Sequence, residues 1–191
     1  MTQAGGVSDS RATGGEGARR PPERPDPRKL RLLSALLSAP AEDSLSLLAE
    51  LVGEETWLAD AVAELRLVPL AEWQAEHTRL FVNAQPRTVC PPFASAYRQG
   101  EMRGAAAGEI AGFYADVGLV AAGGLPPDYV GTLLECAAYL MDSGVDPAQQ
   151  WRRLLWEQHL MPWLPRFASD LRRHAALRLY RDLGAQLAGL F

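Results

Sequence analysis

The stretch Cys90-Pro91-Pro92-Phe93-Ala94-Ser95-Ala96-Tyr97-Arg98-Gln99-Gly100-Glu101-Met102 limits the fold more than any other part of the chain. Its adjacent prolines lack an N–H and drive the residue before each away from helical angles, so Val89 to Pro92 reads as extended. Phe93 and Tyr97 nevertheless demand burial. A segment that builds no ladder of its own yet carries two aromatic anchors has to be wrapped by other elements.

Those other elements read as helices. Asp26-Pro27 is an N-cap with proline at the first helical position, and Leu30, Leu33, Leu36 and Leu37 continue one apolar stripe towards Pro40. A second helix carries Leu45, Leu47, Leu48 and Leu51, and a third runs from Thr56 through Trp57, Leu58, Val62 and Leu65. The fourth starts at Pro69 and repeats Leu70, Trp73, His77, Leu80 and Phe81 near the helical period. Residues 83 to 103 then form a connection with little helical pattern, longer than compact domains usually use, which favours a functional role. Further helices are expected over Ala105 to Val117, stopped by Gly118, from Asp128 to about Ser143, and from Asp146 through His159. Pro162 and Pro165 break the chain before two last helices, one with Phe167 and Leu171, the other with Leu177, Tyr180, Leu183 and Leu187.

With one isoleucine and no period-two alternation, the expected fold is all-α. It is a single-domain bundle of about eight to nine helices over 27–191, with the long proline-containing loop after the fourth. Residues 1–26 hold almost no large apolar side chain, so ordering them would cost entropy with no burial to offset it, and they read as a disordered tail.

The formal charge of -4 disfavours a general nucleic-acid or anionic-membrane binder and favours cationic partners. Cys90 and Cys136 lie 46 positions apart without metal-ligand spacing, which signals neither a zinc site nor a disulfide framework. No apolar run suggests stable membrane insertion. Arg19-Arg20 is followed by Pro21-Pro22-Glu23-Arg24-Pro25 where an export signal needs its apolar segment. The location expected is the cytoplasm.

No catalytic constellation is signalled. Cys90 or Ser95 as nucleophile would need His77 or His159 as base, and the sequence gives no spacing that joins them. The three histidines are too dispersed for a metal site, and Gly123-Gly124 precedes a proline pair rather than a phosphate-cradling helix start, so no cofactor is expected. Recognition remains. Asp128 and Glu135, seven residues apart, fall on one helical face that could meet a cation. With Leu80, Phe81, Phe93 and Tyr97 as apolar walls, this makes a groove for an apolar peptide with a basic head. The same residues serve equally as plain core and plain caps, and spacing alone leaves both readings open.

Leu80-Phe81, Pro91-Pro92-Phe93-Ala94-Ser95-Ala96-Tyr97, Pro127-Asp128-Tyr129 with Leu133-Leu134, and Glu157-Gln158-His159-Leu160-Met161-Pro162-Trp163 occur in this order. Together they resemble the TorD/DmsD/NarJ family of molybdoenzyme maturation chaperones, closest to its TorD/DmsD branch, over about residues 28 to 190. The resemblance implies a cytoplasmic, non-enzymatic, all-helical chaperone. Such a chaperone binds the twin-arginine leader of a molybdopterin oxidoreductase catalytic subunit, assists cofactor insertion and delays export. It implies a peptide-binding region of Leu80, Phe81, Pro92, Phe93, Ser95, Tyr97, Pro127 and Asp128, with Tyr129 beside them at the position of the family's usual histidine, and the groove reading adds Glu135. Family members usually have histidine where this chain has Tyr129, which hydrogen-bonds but does not ionise near neutral pH. On this reading Asp128→Ala weakens leader binding without unfolding the chain. A homodimer is left open, and the alternative function is a helical regulatory module that binds a small molecule without catalysis.

Overall fold

Leucine stripes and proline stops set the architecture. The structure, a computed structural model, describes residues 26–83, 88–120, 124–143 and 146–191, so all of the expected tail except Asp26 lies outside the described residues. Over the described residues the chain is all-helical, with ten α-helices and no strand. None of these helices is long and apolar enough to cross a membrane.

Helix α1 (Pro27–Ala35) begins as its sequence demands: Asp26 Oδ1 accepts the Arg28 N–H at 2.9 Å while Pro27 needs no acceptor. Next come α2 (Ser44–Leu51), a 3-10 turn at Thr56–Leu58, α3 (Ala59–Leu65) and α4 (Leu70–His77). Helix α4 continues into a wide π turn, Thr78–Val82, closed by the Asn83 N–H on the Thr78 carbonyl at 2.9 Å. The connection expected to be irregular contains one short helix, α5 (Ala94–Arg98), which brings the count to ten instead of eight or nine. Its Ala-Ser-Ala-Tyr-Arg sequence tolerates helix once the prolines are passed, and its N-terminus is capped from elsewhere in the chain.

Helix α6 (Ala105–Val117) stops at Gly118, whose φ of 76° is the left-handed C-terminal turn that glycine adopts freely. Then follow α7 (Val130–Asp142), α8 (Asp146–Leu154) with a second π turn at Leu155–Leu160, α9 (Leu164–His174) and α10 (Arg178–Ala188).

Two helix pairs hold the bundle. Helices α1 and α7 run antiparallel, and the Ser34 hydroxyl donates to the Gly131 carbonyl at 3.1 Å. Helices α9 and α10 approach so closely that a Cβ on Gly184 would lie 2.8 Å from the Ala168 carbonyl oxygen. Between them runs an aromatic core. The Phe81 ring sits 5.1 Å from His77, 5.3 Å from Tyr180 and 6.4 Å from Phe167. Trp73 Nε1 donates to the Tyr180 hydroxyl at 3.0 Å, so this core also satisfies its polar atoms. Glu76 binds α4 to the α9–α10 turn by accepting from Arg79 and from the Ala176 N–H at 2.6 Å.

Candidate functional site

The extended Pro92-Phe93 segment finds its partner in the residues before α7. The Ala94 N–H donates to the Asp128 carbonyl at 3.0 Å and the Val130 N–H to the Pro92 carbonyl at 2.9 Å. These bonds frame a single antiparallel bridge between Phe93 and Tyr129, whose rings lie 5.8 Å apart.

Asp128 is buried completely at this junction. Its Oδ2 accepts the Ser95 N–H at 2.9 Å and so caps α5, whose first-turn donors would otherwise be buried unsatisfied. The sequence places Asp128 in or just before the first turn of the following helix, sharing a face with Glu135. In the structure α7 begins two residues later, at Val130, and the carboxylate turns inward beneath α5 while Glu135 faces solvent. The uncapped N-terminus of α5 takes the nearest carboxylate. Ser95, also fully buried, accepts the Arg103 N–H on its Oγ at 3.1 Å, which fixes a turn where Arg103 has a φ of 63°.

The remaining site candidates divide sharply. Leu80 and Phe81 lie in the core, and Pro92 is buried at the junction. Tyr97 is half-buried against Trp163 and Phe167, and donates its hydroxyl to Asp170 Oδ2 at 3.1 Å beneath the Arg166 guanidinium. The Pro127 carbonyl accepts from the Tyr114 hydroxyl at 3.1 Å. Tyr129 donates to the Leu37 carbonyl at 3.4 Å, the same oxygen that His77 Nε2 meets at 3.0 Å, and burial pushes its phenol up to about 12. Of the ten candidates, Tyr129 and Glu135 line a cavity.

That cavity is a cleft of about 590 Å³ between α1 and α7, walled by Arg31 and Ser34 on one side and Tyr129, Glu135 and Tyr139 on the other, with Tyr114 at its end. Its rim is apolar and solvated: Val120 is 91% exposed, Tyr139 51% and Leu125 48%. Exposed apolar groups gathered beside a cleft are characteristic of a binding surface, whereas scattered ones are not. Glu135, Tyr139 and Asp142 stand four and three residues apart and therefore on one face of α7. Arg31 crosses from α1 to meet them, with Nη2 2.6 Å from Asp142 Oδ2 and Nε 3.9 Å from Glu135 Oε2. Arg31, Tyr139, Asp142, Val120 and Leu125 are not among the residues that the sequence marks for the site. The seven-residue spacing that drew attention to Asp128 and Glu135 recurs between Glu135 and Asp142, and that repetition was the available signal.

The catalytic candidates are not brought together. Burial, chiefly, pushes the Cys90 thiol up to about 12. His77 is committed to the Leu37 carbonyl, and His159 packs on Phe113 at 5.1 Å with its pKa lowered by burial and by the Arg98 guanidinium. Among the described residues neither imidazole hydrogen-bonds Ser95 or Cys90.

Comparison with known proteins agrees with the all-helical fold. A crystal structure from Archaeoglobus fulgidus, described as that of a candidate redox enzyme maturation protein, superposes with a TM-score of 0.65 over 91% of this chain and 96% of that one. At 23% identity it shows a shared fold. The chaperone protein YcdY of Escherichia coli (strain K12) is 26% identical over 114 residues, which are 60% of this chain and 58% of that protein, so the chain spans little more than half of that relative's length. The family described as nitrate reductase delta subunit matches residues 35–169, from the end of α1 into α9 and across the whole Pro92–Tyr129 junction. The chain therefore belongs to the nitrate reductase delta subunit family, the NarJ/TorD type of chaperone.

Proposed function

We propose that this protein is a redox enzyme maturation chaperone. It holds the twin-arginine leader of a molybdopterin-containing oxidoreductase subunit in the cleft between α1 and α7, on the cytoplasmic side, and works by affinity without covalent chemistry. The observation that carries this reading is the solvated apolar rim of Val120, Leu125 and Tyr139 beside Glu135 in the cleft wall, with Asp142 further along the same face of α7 and paired with Arg31. A leader offers the complement: an arginine pair for Glu135 and Asp142, and an apolar segment for the rim. Exposed ion pairs contribute about 0 to 1 kcal/mol, whereas burying one large apolar side chain contributes about 1.5 to 3 kcal/mol. Apolar contact thus supplies most of the affinity and the carboxylates set orientation and encounter rate. Asp128, Ser95 and the Phe93–Tyr129 bridge act behind the wall by fixing its shape.

The test is calorimetry with a synthetic twin-arginine leader. Leu125→Ser and Tyr139→Ala should each weaken binding by about fivefold or more while the thermal melt stays put, because both side chains are solvated in the free protein. Full affinity in the double variant would move the site elsewhere. A second reading has one observation in its favour: a more apolar hollow of about 540 Å³ between α1 and α2, lined by Leu36, Leu48, Leu51 and Trp73, which suits a small apolar ligand.

A further inference from the structure

Arg31 occupies an unusual place for a surface arginine. Its guanidinium lies in the wall of the α1–α7 cleft, 2.6 Å from Asp142 and 3.9 Å from Glu135, and remains 44% exposed. The two carboxylates flank the solvated Tyr139 ring on one face of α7. Carboxylates at this spacing beside an aromatic face suit a planar guanidinium, which forks onto carboxylate oxygens and lies against rings. An arginine entering the cleft from outside meets Glu135 and Tyr139 in its lining, with Asp142 one turn further along the same face, and finds the Arg31 guanidinium already there.

We propose that Arg31 is an internal competitor for the arginine position of the cleft, so that the protein binds a cationic peptide against an autoinhibitory contact from its own α1. This rests on the cleft being the leader site. The geometry favours exchange. The Glu135 contact is long, only Asp142 is held at hydrogen-bond distance, and all three side chains are about half exposed, so the contact is weak enough to open. An incoming arginine would take over Asp142 and Glu135 while Arg31 swings to solvent, which its position on the exposed side of α1 permits. The competition raises selectivity. A peptide with one weak cation gains little by displacing Arg31, whereas an adjacent arginine pair can engage both carboxylates at once.

The experiment compares full-length wild type, Arg31→Gln and Arg31→Gln/Asp142→Asn by calorimetry at low salt. The probes are a peptide carrying an arginine pair before an apolar segment, and the same peptide with glutamines in place of both arginines. Removing a competing exposed ion pair should tighten the arginine peptide by roughly three- to fivefold in Arg31→Gln. It should leave the glutamine peptide unchanged, and the gain should vanish in the double variant and fade as salt is added. Arg31→Lys, which keeps the charge but not the fork, should fall between wild type and Arg31→Gln and guards against a folding artefact. If wild type binds the arginine peptide and Tyr139→Ala weakens it, but Arg31→Gln binds it no better, the competitor role is overturned and the cleft stands. If no variant binds either peptide, the cleft reading and the competitor role fall together.

Discussion

Asp128 changes meaning once its surroundings are known. A carboxylate in a Pro-Asp-Tyr turn invites a binding role, but this one is wholly buried and its Oδ2 accepts the Ser95 N–H at 2.9 Å. Loss of a cap typically costs about 0.5 to 2 kcal/mol, and a hydrogen bond to a charged group about 1.5 to 3. Asp128→Ala should therefore destabilise the protein by about 1 to 3 kcal/mol in a denaturant melt, and Asp128→Asn by less, because an amide oxygen can still accept from Ser95. The expectation drawn from sequence, weaker leader binding without unfolding, gains a stability cost beside it, because the carboxylate caps α5. A melt unchanged from wild type in Asp128→Ala would restore the direct role. Tyr129 follows the same logic: burial pushes its phenol up to about 12, so it stays neutral, donates to the Leu37 carbonyl and packs on Phe93.

At the level of elements, glycines separate helices that need close approach from helices that do not. Gly112 lies on the exposed side of α6 with nothing near the Cβ it lacks, so Gly112→Ala should raise stability by about 0.5 to 1 kcal/mol through helix propensity alone. Gly184 has the same propensity to gain, but its added Cβ would meet backbone, the Ala168 oxygen at 2.8 Å and the Arg172 nitrogen at 3.0 Å. Gly184→Ala should therefore lower stability by about 1 to 3 kcal/mol as α9 and α10 are pushed apart. Paired urea melts decide the matter, and a stabilised Gly184→Ala would mean the two helices slide without strain. These elements were legible because caps and stripes are local: Asp26-Pro27, Gly118 and the leucine periodicity act within a turn or two of themselves. Helix α5 was not legible, since its cap arrives from Asp128, 33 positions away. The cleft was not legible either. Leu80 and Phe81 carry the apolar character of a groove wall, but Phe81 is covered by Phe167 of α9 and Tyr180 of α10, and no spacing within α4 and its π turn encodes that.

For the whole molecule, the cleft combines few charges with a larger apolar rim, and this fixes how binding should respond to its surroundings. Glu135 and Asp142 are about half exposed, so on the proposed function their attraction for a leader's arginines is screened by salt with a decay length of about 10 Å. The rim contacts are not screened, and they carry the heat-capacity signature of apolar burial. Raising salt from about 50 to about 300 mM should weaken leader binding by no more than about fivefold. Replacing three leucines of the leader's apolar segment with serine should weaken it by at least about tenfold, since each buried leucine contributes about 1.5 kcal/mol or more. Binding of the unaltered leader should also show a negative heat-capacity change across a temperature series. The opposite ordering, strong salt dependence with indifference to the leucines, would make the net charge of -4 the principal attractant and reduce the apolar rim to a bystander.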